Sequence, residues 1–343
     1  MTRQAGRRVG GRLDRRRPIP RGFVTMVVAT IALFVVCFTL APSSIAAGAL
    51  AGSLPFAAIL AIVGLGQMLV VQQGGFDLSV AGGVSLAVVI ATHMPAGHDG
   101  ALLPAVLVAF ACAVLAGAIN GLMVGFLRLN AIVATIGTNA LLYGAIFAIS
   151  GGVPETTTDL LAAIAGGSVL GLGNAVWFAL MILLLVLFSV KKTVVGRRFE
   201  VIGANPRAAA AMGMKVRRHQ AIAYVFAQTL YCSAGILLAG VTAQPTAYQG
   251  DSLLLPSVAV VVLAGTSLLG GRGYPISTVI AALFLNQLSQ FALAVGVPYS
   301  AQTIIQALAL GFGIAVYSLR LPRRISKTNK LKNPEEKDGL VAS

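Results

Sequence analysis

The chain has 343 residues, of which 57% are hydrophobic and only 10% charged, and its mean hydropathy is +0.88. Soluble domains carry about 25% charged residues, so this composition excludes a soluble protein and predicts an all-α polytopic membrane protein. The net charge of +15 would suggest nucleic-acid binding in a soluble chain, but no stacking aromatics accompany the arginines, so we expect no nucleic-acid partner.

The chain begins with an Arg-rich segment, 1–22, that we interpret as a basic cytoplasmic tail. The apolar run from Phe23 to Ala41 follows it and is long enough to cross a lipid bilayer. A basic segment before an apolar run is also typical of a signal peptide, but this run exceeds the usual hydrophobic region of about 7–15 residues. An uncleaved first span is therefore favoured.

Nine further apolar runs predict nine further spans, at about 54–71, 78–94, 102–127, 131–150, 174–190, 220–242, 253–270, 275–296 and 301–319. With ten crossings and the first tail inside, every Lys and Arg falls on the cytoplasmic side. The charge distribution therefore predicts about ten transmembrane helices, with the N- and C-termini cytoplasmic. The predicted domain boundaries are a transmembrane domain at 23–320 and a cytoplasmic C-terminal tail at 321–343.

The segment Gln67–Gly83 contains Asp77, which is the only charged residue between positions 22 and 98. Gly74 and Gly75 precede it and are expected to break the helix. A carboxylate in the lipid core would cost several kcal/mol and would imply a function in the pathway. The span boundaries put Asp77 near the cytoplasmic end instead, where an acid can cap the N-terminus of the third span, and this interpretation is favoured.

Gly117, Gly121 and Gly125 recur every fourth residue in the fourth predicted span. Small residues at this spacing let the backbone of a neighbouring helix approach closely. We interpret this glycine ladder mainly as a packing surface.

Several predicted spans contain uncharged amide side chains, which could pass the hydroxyl groups of a substrate along a path; Asn120 is one that lies mid-span. The alternative is that each amide links two helices by a hydrogen bond, and this alternative is favoured for any single amide. The candidate path residues are Asn139, Asn286, Gln290, Gln302 and Gln306.

The segment 191–218 is a long polar interruption between two apolar halves. Asn205 followed by Pro206 predicts a helix start, because Asn can accept a hydrogen bond from a free backbone N–H and Pro has its φ preset. The alanines at 208–211 favour a helix, and Gly213 can close it in the left-handed conformation. We expect a short helix with a small-residue surface that suits docking into another protein, and an ordinary basic surface loop is the alternative.

The segment Gly265–Gly273 superficially resembles a phosphate-binding loop, but Gly271 stands where that motif needs Lys. We expect a tight turn between the eighth and ninth spans, with Arg272 at the cytoplasmic face. The chain is expected to hold no nucleotide of its own. Its three cysteines and three histidines lack the spacing of a metal site, so no cofactor is predicted.

The sequence leaves three function classes to weigh. A secondary transporter usually needs buried ionisable groups, and Asp77 is the one ambiguous candidate. A membrane enzyme would need a cluster of catalytic side chains, and none is apparent. A pore driven by a separate ATPase would need a cytoplasmic docking element, which 191–218 supplies.

The sequence contains a series of motifs in a fixed order, which together span roughly residues 45–320. They are GQMLVVQQGGFDLSVAGG, TIGTNALLYG, GRRFEVIGANPRAAAAMGM, AQPTAYQG and VLAGTSLLGGRG. Through these motifs the chain resembles the ribose-type permease family of ATP-binding-cassette (ABC) importers. The chain departs from the family pattern mildly at Phe76 and Ala81, and more at Leu254 and Pro256, where relatives commonly have acids. The motif residues singled out are Gly74, Gly75, Asp77, Ser79, Gly265, Thr266, Gly270, Gly271 and Arg272.

The resemblance implies a permease subunit of the bacterial inner (plasma) membrane that forms the path for a monosaccharide or related small polyol. It implies separate ATP-binding subunits that bind and hydrolyse ATP, an extracytoplasmic sugar-binding protein, and a second permease copy or homologue. The chain itself is then not an enzyme, and a stand-alone secondary transporter or facilitator is the alternative. The resemblance identifies 203–213 as the coupling helix, with Gly203, Asn205, Pro206, Ala208, Ala209, Ala211 and Gly213 as its ATPase-coupling residues.

Overall fold

Twelve α-helices make up most of the part of the chain that the computed structural model describes, which is residues 21–298, 300–304, 306–308 and 311. In chain order they are α1 (Arg21–Leu40), α2 (Ala47–Gln72), α3 (Val80–His93), α4 (Leu102–Gly121), α5 (Ala131–Ser150), α6 (Asp159–Gly166), α7 (Asn174–Lys192), α8 (Val194–Ala204), α9 (Pro206–Ala211), α10 (Val216–Thr242), α11 (Asp251–Leu263) and α12 (Pro275–Ala294). A π-helix, Leu122–Phe126, continues α4, and short 3-10 helices at Pro42–Ile45 and Asp99–Ala101 precede α2 and α4.

Seven helices among these residues are long and apolar enough to cross a membrane. The shortest has 19 residues, which at 1.5 Å per residue gives about 28 Å, close to the thickness of the hydrocarbon layer. The prediction of an all-α polytopic membrane protein is therefore confirmed. The seven are Gly22–Leu40, Ala47–Gln72, Asp99–Phe126, Ala131–Ser150, Asn174–Lys192, Val216–Thr242 and Pro275–Ala294.

Two of the predicted spans, 78–94 and 253–270, are shorter helices in the structure. α3 has 14 residues and α11 has 13, so each covers about 20 Å and is too short to cross the hydrocarbon layer by itself. α3 starts late because the chain turns at Gly74, where φ is +78°, and continues as a non-helical linker. α11 ends early because the chain turns again at Gly265, where φ is +79°.

The predicted span 301–319 lies largely outside the described residues, of which 300–304, 306–308 and 311 are helical. Residues 1–20 of the predicted N-terminal tail and all of the predicted tail 321–343 also lie outside them, whereas Arg21 and Gly22 belong to α1. The count of ten spans and the cytoplasmic position of both termini therefore stay predictions.

The centre of the helix packing is formed by α2, α3 and α10. In α3, 13 of the 14 residues are buried, and α10 packs against α2, α3, α4 and α6. Helices surrounded by other helices are apolar on every side, which explains why the sequence of α3 has no polar face. The most apolar windows of α1 and α7 are only 22% buried, as expected for helices that face lipid.

The glycine ladder of α4 packs directly against α10. A Cβ atom on Gly117 would lie 2.6 Å from the Cα of Val225, and one on Gly121 would lie 2.7 Å from the carbonyl oxygen of Ala221. Real Cβ atoms essentially never approach other atoms below 3.0 Å, so these positions require glycine. The predicted close approach of a neighbouring backbone is confirmed.

The loop between α5 and α7 has more structure than the sequence analysis predicted. It contains α6, whose N-cap residue Thr158 accepts a hydrogen bond from the backbone N–H of Leu161 at 3.2 Å. It also contains an antiparallel hairpin of β1 (Ser168–Val169) and β2 (Leu172–Gly173). Asn174 at the start of α7 donates to the carbonyl of Ile164 at 2.9 Å and so ties the hairpin to α6.

Candidate functional site

The short helix predicted in the 191–218 segment is α9. The side-chain oxygen of Asn205 accepts a hydrogen bond from the N–H of Ala208 at 3.0 Å, and Pro206 occupies the first helical position. Gly213 has φ +76° and follows the C-cap residue Met212, so the chain leaves the helix through the left-handed conformation. The sequence prediction of the start and the end of this helix is confirmed.

Two of the seven residues assigned to ATPase coupling point into the protein rather than outwards. Ala209 is fully buried, and Gly203 is buried with so little space that a Cβ atom would lie 2.0 Å from the carbonyl oxygen of Gln72. The exposed members are Asn205, Pro206, Ala208, Ala211 and Gly213. The seven residues therefore do not share one exposed surface, because α9 packs on one side against the chain's own α8 and α10. Their assignment to ATPase coupling stays a prediction.

The sequence analysis did not predict α8, the helix that directly precedes α9 and packs against it. Its buried residues are Gly196, Phe199, Ile202 and Gly203, and the intervening Arg197 and Arg198 are exposed. This spacing of three and four residues is the signal of an amphipathic helix and could have identified α8. Thr193 caps the helix by accepting from the N–H of Gly196 at 3.0 Å.

The linker between α2 and α3, residues 73–79, connects α8 to the helix core. The side-chain amide of Gln73 donates to the carbonyl oxygen of Phe199 in α8 at 2.9 Å. The N–H of Gly271 donates to the carbonyl oxygen of Gln72 at 2.8 Å. Three segments far apart in sequence therefore meet at one end of the bundle: this linker, α8, and the turn after α11.

The turn after α11, residues 265–273, has the form that the sequence predicted. Gly265, Gly270 and Gly271 have φ values of +79°, +89° and +88°, and the N–H of Ser267 donates to the carbonyl of Arg272 at 3.1 Å. Only glycine adopts three such conformations without strain. A Cβ on Gly270 would lie 2.5 Å from the carbonyl oxygen of Gly203, so this turn also fits closely against α8.

The remaining residues of that turn differ in exposure. Thr266 is buried, and its N–H donates to the carbonyl of Val261 at 3.2 Å. Arg272 is exposed, in keeping with a position at the aqueous end of the bundle. The geometry fits a structural role for the turn. The absence of a nucleotide site in this chain stays a prediction.

A buried polar network centres on the hydroxyl of Ser79. This hydroxyl donates to a carboxylate oxygen of Asp77 and accepts from the side-chain amides of Asn120 at 2.8 Å and Gln228 at 2.7 Å. All three of its hydrogen-bonding capacities are therefore used. The network joins the linker to α4 and α10, and all four side chains are fully buried.

Asp77 is held within this network. One carboxylate oxygen accepts the backbone N–H of Ser79 at 2.9 Å, just ahead of α3, and the other accepts from Gln228 at 3.3 Å. Gln228 lies twelve residues after Val216, the first residue of α10, or about 18 Å along the helix axis. The carboxylate thus contacts the N-cap residue of α3, but α3 has no side-chain cap hydrogen bond. Asp77 lies inside the bundle and not at an exposed end, so its predicted position near the end of the span is wrong.

Gly75 and Gly83 leave room for this network. A Cβ on Gly75 would lie 2.4 Å from the hydroxyl of Tyr224, and one on Gly83 would lie 2.4 Å from the side-chain oxygen of Gln228. Tyr224 in turn donates to the carbonyl of Phe76 at 3.4 Å. A sequence without an alignment gives no signal that Gln228 and Tyr224, about 150 residues from the linker, reach it.

The candidate path amides do not come together. Asn139 accepts the N–H of Gly82 at 2.8 Å between α5 and α3, whereas Asn286 donates to the carbonyl of Ser53 at 3.2 Å between α12 and α2. Elsewhere, Gln302 donates to the carbonyl of Val297 at 2.9 Å, Gln306 donates to the hydroxyl of Ser289 at 2.8 Å, and Gln290 is half-buried. In four of these five residues the amide is already engaged within the chain, which favours the interpretation as links between segments.

A second polar cluster lies at the opposite end of the bundle, where α5 approaches the segment before α11. The hydroxyl of Tyr143 donates to the carboxylate of Asp251, and the rings of Tyr143 and Tyr248 meet edge to face with centroids 5.6 Å apart. The N–H of Gly250 donates to the hydroxyl of Ser85 in α3 at 2.9 Å. The sequence analysis did not predict this cluster.

Comparisons with known proteins add family information to this geometry. A family model described as "Branched-chain amino acid transport system / permease component" matches residues 49–312. The chain is 33% identical over 305 residues to "Autoinducer 2 import system permease protein LsrC" of Enterobacter sp. (strain 638), covering 88% of this chain and 87% of that protein. It is 31% identical over 297 residues to "Ribose import permease protein RbsC" of Escherichia coli (strain K12), covering 84% and 92%.

A third relative is "Probable ABC transporter permease protein y4mJ" of Sinorhizobium fredii (strain NBRC 101917 / NGR234), 30% identical over 299 residues, or 86% of this chain and 89% of that protein. No solved structure matches the chain.

Proposed function

The chain belongs to the family of branched-chain amino acid transport system permease components, and from that premise we propose that it forms the path by which an ABC importer takes up a monosaccharide or related small polyol. Relatives carry names for ribose import and autoinducer 2 import, which is the basis for the proposed substrate class. The chain is a transport subunit and not an enzyme. We propose the bacterial inner membrane as its location.

The observation that carries the proposal is the contact between the coupling segment and the helix core. Gln73 donates to the carbonyl of Phe199 at 2.9 Å, and Gly203 packs without free space against the carbonyl of Gln72. A force on α9 is transmitted through α8 to the linker, because close-packed backbones shift together rather than compress. The linker then ends at the Ser79 network, at the start of α3.

In this mechanism, separate ATP-binding subunits bind and hydrolyse ATP and press on the exposed face of α9, formed by Asn205, Pro206, Ala208, Ala211 and Gly213. Their closure moves α8 and the linker, and the helices around α3 change between an outward-open and an inward-open arrangement. An extracytoplasmic binding protein delivers the substrate, and a second permease copy or homologue completes the path. No cofactor is held by this chain itself.

A pair of substitutions tests the docking face. Ala208→Arg puts a long cation on the exposed side of α9, and Val194→Arg puts the same side chain on the exposed first turn of α8. We expect the first variant to lose the ATPase subunit during co-purification of the complex, and the second to retain it. Equal retention by both variants would contradict the assignment of α9 as the coupling helix.

A reconstitution distinguishes the importer from a stand-alone transporter. Proteoliposomes that contain the permease and the binding protein but lack the ATPase subunit are expected to show no uptake of radiolabelled ribose or of other labelled pentoses and hexoses. Addition of the ATPase subunit and ATP is expected to restore uptake of the cognate sugar. Uptake at an equal rate without the ATPase would favour a facilitator or secondary transporter instead.

A further inference from the structure

A basic cavity of about 900 Å³ lies beside the coupling helix, between α9, the first turn of α10 and the end of α4. Its volume is within the range of ligand pockets in proteins, about 300–1,000 Å³. Its lining contains no Asp or Glu, and the ion pair between Lys191 and Glu200 lies outside it. The cations that line it are Arg128, Arg207, Lys215, Arg217 and Arg218.

The cavity lies beside the ends of candidate membrane spans. The span that contains α4 ends at Phe126, α5 begins at Ala131, and the span formed by α10 begins at Val216. The cavity wall includes Phe126 and Leu129, which are 41% and 48% exposed. Its lining therefore combines cations with exposed apolar side chains next to the ends of the spans.

The backbone around the cavity is held rigidly. A Cβ on Gly125 would lie 2.8 Å from the carbonyl oxygen of Arg217, so the π-helical end of α4 is pressed against the start of α10. Arg128 has φ +58°, a conformation that non-glycine residues adopt rarely. The next helix begins three residues later, at Ala131, and the side chain of its N-cap residue Asn130 accepts the N–H of Ile132 at 2.9 Å. Strained residues and π-helices are both concentrated at functional sites.

We propose that this cavity binds the headgroup of an anionic phospholipid from the cytoplasmic leaflet, with the acyl chains leaving past Phe126 and Leu129. A phosphodiester accepts hydrogen bonds from several guanidinium groups at once, and basic pockets between membrane helices bind such headgroups. A free phosphate ion would make no use of the apolar rim. Arg207 belongs to α9 and lines the cavity, so a lipid headgroup bound there contacts the coupling helix and links it to the membrane surface.

A matched pair of double substitutions tests the site. Arg217→Gln with Arg218→Gln removes two cations from the cavity, whereas Arg197→Gln with Arg198→Gln removes the same dipeptide charge from the exposed side of α8, outside the cavity. The full-length chain is delipidated in neutral detergent and titrated with phosphatidylglycerol or with phosphatidylcholine of the same acyl chains. Bound lipid is counted by native mass spectrometry.

We expect the wild type and the α8 variant to bind phosphatidylglycerol with equal affinity, and the cavity variant to bind it about tenfold or more weakly. None of the three proteins should bind phosphatidylcholine specifically. Size-exclusion chromatography and circular dichroism check folding. If the double variant is misfolded, the single substitution Lys215→Gln replaces it, with an expected loss of affinity of about fivefold.

Three results would overturn the proposal. The first is an equal loss of phosphatidylglycerol binding in both double variants, which would indicate that the lipid is attracted by general surface charge. The second is displacement of the lipid by millimolar inorganic phosphate, which would indicate a site for free anions. The third is release of the lipid when the ATPase subunit binds, which would assign the cavity to the protein interface.

Discussion

The contact between Gly203 and Gln72 gives the sharpest prediction about how the coupling segment acts. In the variant Gly203→Ala, the new methyl group would lie 2.0 Å from the carbonyl oxygen of Gln72 and 2.8 Å from the N–H nitrogen of Gly271. Both neighbours are backbone, so α8 has to move away by about 1 Å to reach the shortest tolerated distance of 3.0 Å. Overpacking of this kind costs about 1–3 kcal/mol.

The new methyl group also crowds both atoms of the hydrogen bond from Gly271 to Gln72, which is 2.8 Å long and is worth about 1 kcal/mol. We therefore expect Gly203→Ala to lower the free energy of unfolding by about 2–4 kcal/mol and the unfolding temperature in detergent by several degrees. ATPase subunits should still bind, because the exposed face of α9 is unchanged. Transport per ATP hydrolysed should fall, since the linker no longer follows α8 closely.

The control for this prediction is Gly137→Ala in α5, where a Cβ meets nothing within 4 Å. It should leave both the unfolding temperature and the transport ratio at the wild-type values. The reasoning is refuted if Gly203→Ala melts and transports like this control, since α8 and the linker would then not be in contact in the working protein.

Three further predictions concern the polar network, the glycine ladder and the helix cap. Ser79→Ala leaves two buried amides and a carboxylate without their shared partner, so it should lower the free energy of unfolding by about 2–4 kcal/mol, measured by thermal melting. Gly121→Leu should greatly reduce the yield of folded protein in fluorescence-detected chromatography, whereas Gly144→Leu, with nothing within 4 Å, should not. Asn205→Ala should destabilise the start of α9 by about 1 kcal/mol and weaken ATPase binding, and Asn205→Asp should retain binding, as measured by titration of the complex.

Each of these has a result that contradicts it. An unchanged melting temperature for Ser79→Ala would show that water replaces the hydroxyl without cost. Equal yields for the two leucine variants would show that α4 and α10 are not in backbone contact. Equal binding by the Ala and Asp variants at the cap would show that the start of α9 is not at the interface with the ATPase.

Local features were predictable from the sequence because their physics is local. Asn205 with Pro206 marks the start of α9, and Gly213 marks its end, since capping and left-handed turns depend on a few neighbouring residues. The close packing at Gly117 and Gly121 was predictable for a related reason, because glycines at this spacing are typical of helices whose backbones are in close contact. The family resemblance added the importer and its partners, which no local pattern contains.

The remaining features depend on contacts across the fold. A run of alanines does not show which face of α9 is covered, and Ala209 proved to be buried while Ala208 is exposed. Gln228, which donates to Asp77, comes from α10, about 150 residues away, so the burial of Asp77 could not be derived from its place between two apolar runs. Hydropathy also overestimated the length of α3, because a core helix is as apolar as a span whatever its length.

The motif glycines and the coupling segment are best understood as one mechanical unit. Gly74 and Gly270 have positive φ, and Gly203 and Gly270 allow backbone contacts that a side chain would prevent. Backbone in direct contact has no side-chain rotamers to absorb a displacement, so the unit transmits movement with little loss. Ser79 has all its hydrogen bonds satisfied within the chain, whereas the side-chain oxygens of Asn120 and Gln228 are buried without a hydrogen-bond partner in the described part of the chain. These backbone contacts support the proposal that the GGFDLS-type motif transmits movement from the coupling helix to α3.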